Sequence, residues 1–445
     1  MADTPTHPTD LDGLIDPAAH EPPAGAAWSA GAAQDAIAAI VTDVERAYDE
    51  ANLWPGHPRD GATAAEASGE EPGLASLYYG GAGVIWALEH LRLRASVTLT
   101  RDYAAAAAGL PERHAAAPDF PQREPEPGPD PEPGPDPEPG PEPGPERAVG
   151  QAPSLWMGEC GVRLVAQLLS PSPDNADALQ AAIQANAENP ALELMWGPTG
   201  TMLAAAAMHE RTGEPRWRAA WERSADALWA AWTGELWGQR LHGRAFHGLG
   251  PAHGSAGTIA VLSRGDLLDP GRRAELQRRA VAAYTRLAIR RDGAGREAAG
   301  LAQWPASTES TTPRTGGIRL QWCHGAPGVV ASLSQLAPHD DAFTGLLSAG
   351  GELTWRAGPP RKGPGLCHGT AGSGYALLKL LARTGEEVWL HRARAFAMHA
   401  IGQIDEARER LHRGHYTLWT GDLGAAVYLQ DCLDAHAAVP TLDRF

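Results

Sequence analysis

One short unit recurs seven times along the chain: Gly-x-x-Gly followed at once by an apolar run. It stands at Gly80–Gly83, Gly158–Gly161, Gly197–Gly200, Gly254–Gly257, Gly325–Gly328, Gly369–Gly372 and Gly421–Gly424. The runs behind the units, from VIWALEHL after Gly83 to AAVYLQDCL after Gly424, are dense in Ala and Leu and suit buried helices. Glycine lets the backbone turn sharply and approach its neighbours where each helix begins. One match among 51 glycines means little, but seven, each opening an apolar run, make a repeat. Successive units lie 78, 39, 57, 71, 44 and 52 residues apart. A spacing of about 40 residues holds two helices and two turns. Helix pairs repeated around a ring predict an all-α fold: an α/α toroid of about seven pairs, apolar helices inside and more polar ones outside. All seven Gly-rich loops then lie at one end, and the side chains flanking them converge on the axis.

The rest of the chain fits around this core. Residues 1–30 are rich in Pro, Asp, Thr and Ala and read as a loose arm. Residues 31–50 carry apolar side chains at helical spacing, and RRAELQRRAVAAYTRLAIRR (272–291) reads as an outer helix. The single toroid domain, 31–445, is interrupted at 121–150 by a Pro-rich linker. Within it, residues 124–146 place Pro at every second position and hold eight acidic residues and no basic one. Proline lacks an amide donor and biases its predecessor away from helix, so an extended, disordered insertion is expected.

The formal net charge of −17 argues against nucleic acid as a partner, because phosphate binding wants a basic surface. No basic-then-apolar signal opens the chain, and no run of about 18 apolar residues is present, so a cytoplasmic protein off the membrane is expected. Four cysteines in 445 residues do not make a disulfide scaffold. Cys160 and Cys432 lie in or behind glycine units and read as packed core residues.

The chemistry concentrates just before the glycine units. That position is Tyr79, Met157, Trp196, His253, His324, His368 and Thr420 in turn, so three consecutive repeats place histidine there. Two of the histidines follow cysteine, in Trp322-Cys323-His324-Gly325 and Leu366-Cys367-His368-Gly369. Two cysteines and a histidine suit zinc, and three protein ligands leave a fourth position for water or substrate. The competing reading is buried cysteines acting as small hydrophobes. Placement at the same point of adjacent repeats favours the metal. His253 has the right pKa range for acid–base work, and His247 in the same loop is a weaker candidate. Arg319, four residues before Cys323, suits a developing oxyanion. Glu193, four residues before Gly197, suits orienting a histidine or carrying a proton. His324 completes the candidate catalytic set.

At these residues the chain resembles the lanthionine synthetase C-like family. The resemblance covers roughly residues 70–435 without the proline insertion. It rests on Gln321-Trp322-Cys323-His324-Gly325-Ala326-Pro327-Gly328, on Cys367-His368-Gly369-Thr370-Ala371-Gly372 and on Ala252-His253-Gly254. It implies an α-toroid, Zn2+ on Cys323, Cys367 and His368, His253 as acid/base and Arg319 as its neighbour. Cyclases of bacterial peptide pathways usually carry Asp where this chain has Glu193. Glu193-Leu194-Met195-Trp196-Gly197 looks more like the stand-alone members, and His324 points the same way.

The implied activity is addition of a thiolate to a dehydroalanine or dehydrobutyrine residue, giving a thioether. The thiol is either the peptide's own cysteine or a small thiol supplied in trans. A dehydrated peptide or protein is then the partner. The roughly 70 residues before the first repeat are too few for a dehydratase, so a separate modification enzyme is expected to supply it. The alternatives are a non-catalytic zinc-stabilised module that binds a thiol or peptide, and a metal-free α/α-toroid carbohydrate enzyme. The latter needs paired acidic residues at the rim, where the glycine units offer His and Cys.

Overall fold

The computed structural model describes residues 11, 13–62, 64–119, 153–241, 244–291, 300–309 and 319–445. The Pro-rich linker expected at 121–150 lies outside them, as do residues 1–10.

All seven glycine units open helices. Those helices are α3 (Gly81–Leu93), α5 (Glu159–Leu169), α7 (Pro198–Thr212), α9 (Ser255–Ser263), α11 (Ala326–Leu333), α13 (Thr370–Thr384) and α15 (Asp422–Asp434). The first glycine of each unit is the N-cap residue. The fourth is required by close approach. A Cβ on it would sit 1.7–2.3 Å from the carbonyl oxygen six residues earlier, the same contact in all seven repeats, from Leu77 against Gly83 to Leu418 against Gly424. The loop before each helix therefore folds back over the first helical turn.

These helices are buried almost all round, as α13 shows from Thr370 to Leu380. Each packs on the next, and α15 returns to α3, so the ring closes. Among the described residues, seven outer helices alternate with them in the chain: α1 (Ala30–Ala47), α4 (Ala104–Ala116), α6 (Pro173–Asn186), α8 (Pro215–Ala231), α10 (Pro270–Leu287), α12 (Asp341–Ala357) and α14 (Glu387–Leu411). A short α2 (Ala64–Ser68) lies before α3. The outer helices bury one face only: α10 buries Leu276, Ala280, Ala283 and Tyr284 and turns its arginines outward. Helix α1 covers α15 and α14, so the first helix seals the seam left by the last pair.

Among the described residues two small antiparallel strand pairs decorate the ring. β1 (Gln239–Leu241) pairs with β2 (Arg244–Phe246), and β3 (Ile289–Arg291) pairs with β4 (Leu301–Gln303). The outer helix expected to run to 291 therefore stops at Leu287, and Ile289–Arg291 join a strand pair. At the axis, Trp156, Trp322 and Trp419 pack with ring centroids 4.4–5.9 Å apart, and Tyr78 stacks on Trp419 at 5.9 Å. The chain end fills the space beneath them. Val439 and Leu442 are buried, and Trp419 Nε1 donates to Thr441 Oγ1 at 3.2 Å. Among the described residues no helix is long and apolar enough to cross a membrane.

The expectation of a loose arm at 1–30 needs correction where the chain is described. Leu11, Leu14, Ile15 and His20 are buried. His20 Nδ1 lies 2.9 Å from Gly358 O, Arg361 N donates to Ala19 O at 2.9 Å, and Gln303 Nε2 donates to Leu14 O at 3.1 Å. These are single anchors reaching far along the chain. They leave no periodic pattern, which is why the segment reads as irregular.

Candidate metal centre

The loops that precede α11 and α13 present the two Cys-His pairs side by side. Gln321 and His324 exchange backbone hydrogen bonds (2.9 and 3.1 Å) in a tight turn that carries Cys323 at its tip. Gly325 follows with φ +94, a left-handed conformation that glycine adopts without strain. Cys323 N then donates to Cys367 O, and Cys367 N donates to Trp419 O, both at 2.9 Å. Neighbouring loops are thus stitched together around the ring, which brings ligands 44 residues apart to one point. The candidate ligand atoms of Cys323, Cys367 and His368 lie within 4.8 Å of one another.

The donor set fits a soft divalent cation such as zinc. Without one, the two buried thiols share their protons unequally. Cys323 is pulled down because Cys367 donates to its sulfur, and Gln321 Nε2 donates as well at 2.9 Å; these outweigh burial. The hydrogen bond it gives to Cys323, together with burial and the charge on that sulfur, holds Cys367 up. Tyr78 adds a hydrogen bond to Cys367. A cation held by Cys323, Cys367 and His368 would remove the conflict by accepting both sulfurs as thiolates, and Gln321 and Tyr78 would keep hydrogen bonds to them. Burial and the charge of Lys362 hold His368 down at about 4, so its imidazole is neutral and able to ligate.

Beside this triad sits a carboxylate–imidazole pair. Glu193 is wholly buried. Its Oε1 accepts from Trp196 N (2.6 Å) and Gly197 N (3.1 Å), and its Oε2 from Met195 N (3.1 Å) and His253 Nδ1 (2.8 Å). The carboxylate both caps the start of α7 and fixes the tautomer of His253, with the Nδ1 proton directed at Oε2. Burial lowers the His253 pKa, but the hydrogen bond and charge of Glu193 outweigh it and raise the net value.

His324, whose ring centroid lies 6.3 Å from that of His253, is held down to about 3 by burial and then by the charges of His253 and Arg319. Its Nδ1 is buried without a hydrogen-bond partner. Arg319 is exposed at the rim, and its charge is felt at both His253 and His324. His247 is not drawn into the cluster. It pairs with Glu309 at 2.7 Å on the exposed surface. Cys160 and Cys432 are fully buried, and burial pushes both thiols up, so they behave as core residues.

Sequence reading missed Gln321, Tyr78 and the tryptophan cluster. A signal for part of this exists one position further from the glycines. Two residues before each unit stand Tyr78, Trp156, Met195, Ala252, Cys323, Cys367 and Trp419. That register holds Tyr78, Trp156 and Trp419 of the aromatic cluster together with the two thiols, whereas Trp322 stands one residue earlier.

A profile of the family described as "Lanthionine synthetase C-like protein" matches residues 174–443, well over half of the chain. LanC-like protein GCL1 of Arabidopsis thaliana is 41% identical over 81 residues, 18% of this chain and 18% of its own length. Glutathione S-transferase LANCL1 of Danio rerio is 34% identical over 129 residues, 28% of this chain and 32% of its own. The alignments thus span less than a third of either relative. In three dimensions the chain is similar to nisin cyclase with a TM-score of 0.55 at 13% identity, covering 82% of this chain and 90% of that one, a likeness of fold. With the glycine-opened toroid, these matches show that the chain belongs to the lanthionine synthetase C-like family.

Proposed function

We propose that the protein is a zinc-dependent enzyme that adds a thiolate to dehydroalanine or dehydrobutyrine residues, forming a thioether. The observation that carries this reading is the meeting of Cys323, Cys367 and His368 within 4.8 Å, with the Glu193–His253 pair in the adjoining repeat. Zn2+ held by these three residues would lower the pKa of an incoming thiol from its usual value of about 8.5. The chain's own groups do the rest. Gln321 and Tyr78 hold the cysteine sulfurs. Addition to the β-carbon leaves an enolate, and His253, charged and braced by Glu193, delivers the proton to its α-carbon. Arg319 at the rim stabilises the enolate oxygen, and His324 lines the wall between them. General acid catalysis of this kind is worth about 10²–10⁴-fold.

Two thiolate ligands call for a reducing compartment, and we place the reaction in the cytoplasm. The substrate arrives already dehydrated, from a separate modification enzyme. The names of the relatives suggest two outcomes, transfer of glutathione for one and a cyclisation for the other. One experiment tests the reading and separates the sources. A dehydroalanine peptide with a free cysteine is incubated with zinc-loaded protein, with and without glutathione, and followed by mass spectrometry. A glutathione-mass adduct shows addition in trans, and loss of the free thiol at unchanged mass shows cyclisation. Zinc-loaded protein that does neither is a binding module, and the enzyme reading falls.

A further inference from the structure

The last turn of the chain reaches the metal centre through a single indole. Residues 439–445 lie beneath the axial tryptophans, clamped to three inner helices. Asp443 Oδ2 pairs at 2.9 Å with Nζ of Lys379, a buried residue of α13. Arg444 Nη2 pairs at 2.6 Å with Asp431 of α15, which is wholly buried. Arg264, at the end of α9, donates to Leu442 O at 2.9 Å. In the middle of this turn stands Thr441, wholly buried, with φ +55. That left-handed conformation crowds a β-branched side chain. What threonine supplies there is a hydroxyl: Oγ1 accepts from Trp419 Nε1 at 3.2 Å. Trp419 in turn meets both cysteine loops. Its carbonyl oxygen accepts from Leu366 N and from Cys367 N, each at 2.9 Å. Its ring packs on Trp322, the residue before Cys323, with centroids 4.7 Å apart. It also stacks on Tyr78, which hydrogen-bonds the Cys367 sulfur. The neighbouring loop leaves no slack, since a Cβ on Gly365 would lie 2.5 Å from Thr420 O.

We propose that Thr441 is a positioning residue of the metal centre. By holding the Trp419 indole, it fixes the carbonyl from which the Cys367 loop hangs and the ring against which the Cys323 loop packs. This rests on the reading of Cys323, Cys367 and His368 as metal ligands. Ring and carbonyl belong to one residue in a close-packed interior, so neither moves without displacing its neighbours. Without the Thr441 oxygen, the buried Nε1–H of Trp419 is left unpaired. The indole then tilts towards another acceptor or the packing opens to water, and either movement shifts the two cysteine loops against each other. A metal site tolerates ligand displacements of only about 0.2 Å, so the change is felt as lost affinity. The end of the chain is thus part of the support of a site that stands on the other side of the tryptophan layer.

The test compares full-length wild type with Thr441→Val, which removes the hydroxyl and keeps the branched shape, Thr441→Ser, which keeps the hydroxyl, and Val439→Ala, which loosens the same turn without touching the hydrogen bond. Zinc affinity is read by competition with a chromogenic chelator, site geometry by the absorption bands of bound Co2+, and stability by melting temperature. We expect Thr441→Val to bind zinc about tenfold more weakly or worse, the range seen when a group supporting a ligand is lost, and to shift the Co2+ bands. Thr441→Ser should match the wild type in both. Val439→Ala should lose melting temperature and keep its zinc affinity. In a Trp419→Phe background, where the donor is gone, Thr441→Val should weaken zinc no further. Wild-type affinity and spectrum in Thr441→Val overturn the inference. So does an equal loss of affinity in Val439→Ala at a matched melting temperature, which makes the turn merely structural. Zinc-loaded wild type that adds no thiol sinks the proposed function and leaves this inference standing, whereas a wild type that binds no zinc removes the metal reading beneath both. If Thr441→Val fails to fold, Thr441→Ala, which also removes the hydroxyl and relieves the crowding at positive φ, decides on the same readouts.

Discussion

Glu193→Gln removes the charge that holds His253 while keeping the size of the side chain. The carboxylate accepts four hydrogen bonds, three from backbone N–H groups and one from His253 Nδ1. An amide can keep only one acceptor oxygen. If that oxygen stays on Trp196 N and Gly197 N, the new NH2 faces Met195 N–H and His253 Nδ1–H, two donors. The imidazole must then turn or change tautomer. Loss of a charge-assisted hydrogen bond costs about 1.5–3 kcal/mol. At about 1.4 kcal/mol per tenfold, this predicts a 10- to 150-fold fall in kcat/KM for thiol addition.

The pH profile is the sharper reading. Burial alone lowers His253, and Glu193 raises it above its ordinary value. Removing the charge lets burial win, so the limb that reports loss of the acid shifts to lower pH. Linkage has the same sign. A raised histidine pKa contributes stability that is fully present below the unfolded value and lost as pH rises through the folded one. The melting temperature gap between wild type and Glu193→Gln should therefore narrow from pH 6 towards pH 9. A constant remainder reflects the stranded Met195 N–H, about 1–3 kcal/mol. Zinc content should not change, since Glu193 touches none of the three ligands. A variant within twofold of wild type, with an unmoved acid limb, would refute the argument that Glu193 sets the proton affinity of His253.

Other consequences can be checked separately. Metal analysis of the wild type should find about one zinc per chain, lost on Cys367→Ala, because three protein ligands are the minimum of such a site; a full zinc complement in that variant would move the site elsewhere. Gly372→Ala puts a Cβ 1.7 Å from Leu366 O, beside Cys367, whereas Gly402→Ala in α14 meets nothing within 4 Å. The first should lower both melting temperature and zinc affinity, and the second should raise stability by about 0.4–1 kcal/mol, measured by denaturant titration. Leu14→Ala, at a wholly buried position in the segment before α1, should cost about 2–5 kcal/mol in the same titration. A loss under 0.5 kcal/mol would return that segment to a loose arm.

The sequence by itself determined the repeat, the helix starts and the candidate ligands, and the reason is local. Each fourth glycine is dictated by a carbonyl only six residues earlier, and each apolar run by its own burial, so both constraints are written in adjacent residues. His253, Cys323, Cys367 and His368 were legible because they stand at fixed offsets from those glycines. The tertiary structure decided everything that depends on which loops are neighbours. Ring closure sets α1 over α15, from the opposite end of the chain. Stitching of backbone N–H to the next loop's carbonyl brings Tyr78 and Gln321 to the cysteine sulfurs. Asp60 and His415, 355 residues apart, share no pattern in the sequence. A hydrogen bond between them exists only because a toroid returns its last repeat to its first, and no local periodicity records that return.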